Sequence, residues 1–112
     1  MEVGMLTTPF ADEPLEAVLD FAESTSISCL EIPAGPGGNH IDTNKLNKEK
    51  AKEILKACDE RMLRISALAF YTCDITSPKK MAGVQKAAIQ VIDAAAVLGV
   101  DTVCMLAGSP AP

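Results

Sequence analysis

Tryptophan is absent from this chain of 112 residues, and aromatics of any kind make up only 4% of it. Basic residues are outnumbered: 10 Lys and Arg stand against 15 Asp and Glu, a net charge of −5, which excludes a phosphate-backbone binder built on clustered cations. The longest clean apolar run, Ala94 to Val100, is too short to span a bilayer, so no membrane association is expected. Met1-Glu2-Val3 has no basic region ahead of an apolar one and does not read as a signal peptide, which makes the cytoplasm the expected compartment.

The four cysteines form no CxxC pair and have no Cys/His ligand spacing. Cys29 and Cys104 lie in apolar strand-like runs and Cys58 on the apolar side of a helix, so all three read as small buried hydrophobes. Cys73, just past a strand end, is the one candidate reactive thiol. With a single His and no nucleophile motif, no Ser-His-Asp or Cys-His arrangement can be assembled.

What is present is ordinary globular composition, 48% apolar and 22% charged, enough for one domain over residues 1–112. Val3 to Thr8 is a short apolar run closed by Pro9, and predicts a strand. Asp12 is placed to cap a helix carrying Leu15, Val18, Leu19 and Ala22 at helical spacing. A second strand is expected from about Ser28 to Ile32, breaking at Pro33. Asn47 caps a second helix with Ala51, Ile54, Leu55, Cys58 and Met62 as its stripe, and Lys48, Lys52 and Lys56 form a solvated row on its other side. Arg64 to Tyr71 is the third strand. Ser77 and Pro78 open a long helix with Met81, Val84, Ala88, Val91, Ile92 and Ala95 inward, stopped at Gly99, and Thr102 to Ala107 is the fourth strand. The order is βαβαβαβ, which predicts an α/β fold with right-handed crossovers and a parallel sheet.

The functional weight falls on Cys29 to Asp42, CLEIPAGPGGNHID. Glu31 sits between Leu30 and Ile32, and a carboxylate there is costly to bury unpaired, so it should face away from both, into a polar cavity or toward solvent. Gly35 to Gly38 offers backbone N–H groups to an anion, but matches neither GxGxxG nor the P-loop. His40 and Asp42 are of metal-ligand type, yet no third ligand is close in sequence. Tyr71 and Thr72 stand where the third strand opens into its loop and can meet substrate hydroxyls, or Tyr71 can pack against the rim.

Taken together, VGMLTTPF, CLEIPAGPGG with NHID, RISALAFYT and VIDAAAVLGVDTVCMLAG resemble the sugar phosphate isomerase/epimerase family with the xylose-isomerase-like TIM barrel. The resemblance runs over essentially the whole chain. It implies a (β/α)8 barrel in which a divalent metal (Mn, Mg, Co or Zn) on the axis binds sugar oxygens while paired carboxylates move a proton between adjacent carbons. Such a barrel needs eight βα units and about 250 residues. Four strands and three helices therefore correspond to its amino-terminal half. The family's metal ligands and two catalytic Glu residues come mainly from later strands, so no catalytic or metal-binding residue is expected here. Glu31, His40 and Tyr71 are the expected contacts to a sugar or sugar phosphate. Two alternatives stand beside this reading: a non-catalytic half-barrel that self-associates or pairs with a complementary half, and a flavodoxin-like sheet binding a small ligand at a switch point. An open half-barrel should associate, with Met5, Leu68 or Met105 as candidate side chains of the uncovered face.

The family usually has Gly between each helix and the next strand, and only Gly99 fits. Ser24-Thr25-Ser26 and Arg61-Met62-Leu63 occupy the other two turns, which must either differ in geometry or hold a non-Gly residue in the left-handed region at about 1 kcal/mol.

Overall fold

The computed structural model describes residues 1–71 and 76–108. The expectations for Thr72 and Cys73 fall outside the described residues.

Among the described residues five parallel strands and three α-helices follow one another: β1 (Gly4–Leu6), α1 (Leu15–Glu23), β2 (Cys29–Gly35), β3 (Ile41–Asp42), α2 (Lys48–Asp59), β4 (Arg64–Phe70), α3 (Met81–Leu98) and β5 (Val103–Met105). The main sheet runs β1-β2-β4-β5, and β3 adds a two-residue rung to the end of β2. This is a mostly parallel α/β fold, as the sequence order predicts. The strand order follows the chain without reversal, so each crossover steps the same way.

Alternation within the strands sorts side chains into two faces. Leu30 and Ile32 of β2, and Ile65, Leu68 and Phe70 of β4, enter one core with Leu19 and Ala22 of α1, Ala51, Ile54 and Cys58 of α2, and Val91, Ala95 and Leu98 of α3. All three helices therefore cover the same face. The opposite face carries Cys29, Glu31 and Pro33 from β2, Ala67 and Ala69 from β4, and Cys104 opposite Ala69 in β5. The residue that keeps both β2 and β4 in phase is Ser66, an extra position at a bulge opposite Leu30/Glu31, whose hydroxyl donates to Leu30 O at 3.1 Å.

That sorting corrects one expectation. Met5 pairs with Leu30 and Leu68 with Ile32, so both point to the helices, and Leu68 has no exposure at all. Met105 pairs with Phe70 and lies on the helix side too. Around Glu31 and Pro33, the residues of β2, β4 and β5 on the uncovered face are instead small: Cys29, Ala67, Ala69 and Cys104.

Several boundaries also move. β2 continues through Pro33 to Gly35, because Glu31 O accepts from Thr7 N and Pro33 turns its nitrogen the same way, beyond the last residue of β1. Thr7 O, the acceptor nearest that nitrogen, is already taken by Phe10 N. Asp12 does not cap α1, which starts after Pro14, whereas Asn47 does cap α2, accepting from Lys50 N at 2.8 Å. In α3 the inward face is Val91, Ala94, Ala95 and Leu98, and Ile92 is half exposed rather than buried. This helix is long and apolar enough to cross a membrane by length and composition, with a hydropathy of 1.3 over its 18 residues. Its packing against β2, β4 and β5 gives the same composition a place in a sheet.

The two glycine-poor turns resolve differently. After α1, Ser24 stays right-handed, and its hydroxyl and that of Thr25 bond back to Phe21 O and Ala22 O. After α2, Met62 takes φ 55°, while Leu63 N reaches back to Cys58 O at 2.9 Å. Gly99 (φ 67°) and Val100 N to Ala95 O repeat that geometry after α3. Met62 therefore occupies a glycine position at a steric cost, and its side chain is 89% exposed, so it gains little packing in return. Met62→Gly is expected to raise the stability of the chain by about 1 kcal/mol in urea unfolding, and a loss of stability would contradict the strain.

Candidate functional site

Chemistry-bearing groups gather on the uncovered face at the carboxyl ends of the strands, where parallel α/β sheets present their ligand sites. Glu31 reaches this face because Leu30 and Ile32 on either side of it are claimed by the core. Tyr71, the residue after β4, continues the alternation past Phe70 and emerges on the same side, 37% exposed. Its phenol donates a hydrogen bond to Glu31 Oε1. That bond, then desolvation and the neighbouring Cys104, holds the phenol well above the usual tyrosine range. With its proton committed to Glu31, the phenol oxygen and the remaining carboxylate lone pairs are acceptors set side by side, able to take hydrogen bonds from the O–H groups of a hydroxyl-rich molecule.

His40 does not join them. It is buried and tied on both ring nitrogens: Nδ1 meets Thr7 Oγ1 at 3.0 Å, and Nε2 lies 3.1 Å from Phe10 O and 3.0 Å from Glu13 O. Two carbonyl acceptors require a proton on Nε2, so in the neutral ring Nδ1 accepts from the Thr7 hydroxyl. Asn39 Nδ2 adds donations to Ala11 O and Glu13 O. The segment Asn39-His40 thus fastens the loop after β2 to the turn between β1 and α1, and His40 borders an outer groove with Asn39, Lys50 and Ile54. Of the three expected sugar contacts, the structure brings Glu31 and Tyr71 together and gives His40 a different set of partners.

The glycine loop is closed by internal bonds. Gly37 N donates to Asp42 Oδ1 at 2.8 Å and Gly38 N to Gly35 O at 3.0 Å, so two of the donors an anion would need are taken. A Cβ on Gly38 would stand 2.5 Å from Ile41 O, which explains why glycine is required there. Asp42 Oδ1 also accepts from Asn44 N at 3.0 Å.

These commitments bear on a metal. Among the described residues no three His, Cys, Asp or Glu side chains converge. Glu31 stands with Tyr71 rather than with a second carboxylate, and both nitrogens of His40 are engaged. The described residues do not amount to the three-ligand set that a divalent ion needs, and no chemical step is assigned through one.

Three features lay outside what the sequence suggested. Thr7, with no exposure, is the partner that fixes the His40 ring; its only signal was a polar residue closing an apolar run. Cys104 lies beside Tyr71, although the two are far apart in the chain. Arg61 bridges α1 and α2, at 2.8 Å from Asp20 and 3.5 Å from Glu16, with a further bond to Ala57 O. The spacing of Glu16, Asp20 and Glu23 on one helical face was visible, but not the cation that faces it. Cys58 is a buried thiol pushed up to about 11 by desolvation, in keeping with its reading as a core hydrophobe.

No protein-family model matches the chain, and neither does any curated protein.

Two measurements separate the roles of these residues. Because Tyr71 is the only tyrosine and Trp is absent, phenolate absorbance reports this one site. Ionisation is expected to begin well above the ordinary value of 10.0, and Glu31→Gln should bring it down toward that value. A phenol held protonated by folding contributes stability that is present below the unfolded value and is lost as pH rises through the folded one. A wild-type midpoint near 10 would remove the Glu31–Tyr71 bond from the site. His40→Ala, in contrast, leaves Thr7 and two carbonyls without their partner and should cost about 1–3 kcal/mol in urea unfolding. A loss under about 0.5 kcal/mol, the range of ordinary surface changes, would show that His40 holds nothing.

Proposed function

We propose that this chain is the amino-terminal half of a sugar or sugar-phosphate isomerase/epimerase barrel, with Glu31 and Tyr71 contributing substrate-hydroxyl contacts from its inner face. The observation that carries the reading is the placement of the hydrogen-bonded Glu31–Tyr71 pair on the helix-free face, at the carboxyl ends of strands that advance in one direction. The resemblance of the strand and loop segments to that family supplies the reaction class. In this reading the free lone pairs of the Glu31 carboxylate and the Tyr71 phenol oxygen accept from sugar hydroxyls, while the phenol proton stays on the Glu31 bond. Proton transfer and metal binding fall to residues supplied by the complementary half, in line with Glu31 being the one carboxylate on this face among the described strand residues of the main sheet. His40 acts as the fastener of the rim rather than as a contact.

The second reading is a half-barrel without catalysis, favoured by the outer edges of β1 and β5, each paired on one side only among the described strands. A flavodoxin-like domain has less support, since its ligand site needs a reversal in strand order and helices on both faces.

The test has two arms. The 112-residue chain, assayed over aldoses, ketoses and their phosphates with Mn, Mg, Co and Zn, is expected to show no turnover. Chelator-sensitive turnover by the chain alone would overturn the assignment of the catalytic groups to another half. Reading the transcript beyond codon 112 addresses the half-barrel itself. An in-frame continuation with further βα units bearing strand-end Glu, Asp and His supports it, and an immediate stop codon favours the second reading.

A further inference from the structure

The lysines of α2 divide into two sets. Lys50 pairs with Glu53 at 3.5 Å and Lys56 with Glu60 at 3.8 Å, all four side chains well exposed. Lys48 and Lys52, one turn apart, enter no ion pair among the described residues. They stand instead on the rim of a groove between α2 and α3, about 480 Å³ in volume, whose other lining residues are Ala51, Leu55, Ala96 and Val97. The expected solvated row is thus, for two of its members, the border of an apolar recess.

The groove exists because small side chains stand where the two helices face each other. Ala51 and Ala96 end at Cβ and do not fill the space between the helices. Leu55 packs partly against the core, and Val97 stays 43% exposed, so an apolar wall is left in water on the α3 side. Small-ligand sites have this size and this make-up, an apolar lining with a few placed charges. The grooves along α1 and along the glycine loop differ. Each contains Lys50, already paired, together with carboxylates: Glu16 and Glu53 in the first, Asp42 in the second. Asp93 lies in an adjoining recess with Thr43 and Gln90, and does not line the groove itself.

We infer that this groove binds a single-chain amphipathic carboxylate, with its alkyl part against Leu55, Ala96 and Val97 and its carboxylate between Lys48 and Lys52. Charge complementarity selects the anion: two unpaired ammonium groups border the recess in a chain whose net charge is −5. A free ligand fits better than a lipid headgroup. Glu49, Glu53 and Glu60 on the exposed part of α2 would repel a flat anionic membrane, whereas a single chain reaches the recess between the helices. The site lies among the helices, on the other side of the sheet from Glu31 and Tyr71, so it is separate from the sugar reading and does not depend on it.

Titration of the nitrogen-labelled 112-residue chain with octanoate, followed by amide NMR shifts, tests the site. Saturable shifts are expected at Ala51, Lys52, Leu55, Ala96 and Val97, with Tyr71 unmoved. Hexanoate should bind about 5-fold more weakly, because two methylenes leave the groove. Octylammonium should not bind. Lys48→Gln combined with Lys52→Gln should weaken octanoate by about 5-fold and leave octanol unchanged. Val97→Asp, which sets a carboxylate in the apolar wall, should weaken octanoate by at least about 10-fold. All three positions are exposed, and circular dichroism checks that the variants are folded. Vesicles containing phosphatidylglycerol should not sediment with the chain. Shifts centred elsewhere, hexanoate binding as tightly as octanoate, or co-sedimentation with those vesicles would each overturn the assignment. Octanol binding as tightly as octanoate would overturn it too, and would make the groove a neutral apolar contact for further protein.

Discussion

One-sided burial governs this protein. In Leu30-Glu31-Ile32 the flanking residues lose all exposure beneath the helices, and the carboxylate between them is carried to the other side. Leucine and isoleucine side chains in such positions stabilise a fold by about 2–3 kcal/mol each, far more than any surface contact of Glu31 returns. Burial therefore sets the strand's orientation, and the chemistry follows from it. β4 obeys the same rule through Ile65, Leu68 and Phe70, with the bulge at Ser66 keeping its core residues level with those of β2. Tyr71 meets Glu31 because both strands are held in that phase.

The rim of the site depends on a second set of bonds. His40, Thr7 and Asn39 tie the loop after β2 to the turn after β1, and Asp42 with Gly37 and Gly38 closes the loop on itself. Residue types associated with catalysis and metal binding are here used to hold backbone. The reason is geometric: these turns leave backbone N–H and C=O groups without strand or helix partners, and His and Asp supply them at little cost in length.

The helices differ in the contacts they make and in what they expose. Between α1 and α2 the contact is charged, organised on the Arg61 guanidinium, whose side chain is largely covered. Exposed apolar side chains lie elsewhere on these helices, with Phe21 on α1 and Met81, Ile89, Ile92 and Val97 on α3.

Much of this was legible in the residues alone. Element order, the parallel sheet, the Asn47 cap, the Gly99 stop and the facing of Glu31 follow from local periodicity and from the polarity of single residues, which act over a few positions. The extent of β2 beyond Pro33 was not legible, because whether a proline breaks a strand depends on what its neighbour offers at that rung. The facing of Met5, Leu68 and Met105 and the exposure of Ile92 were not legible for a related reason: which side of a strand or helix is covered is decided by packing, not by spacing. The role of His40 depended on Thr7, Phe10 and Glu13, about thirty residues away in the chain. By itself the sequence determined the order of the main strands and helices and the outward turn of Glu31 on β2, though not the two-residue β3, since alternation and burial need only neighbours. Only the tertiary structure decided which polar side chains meet, because a hydrogen bond needs both partners at one point in space, and that point is set by the core.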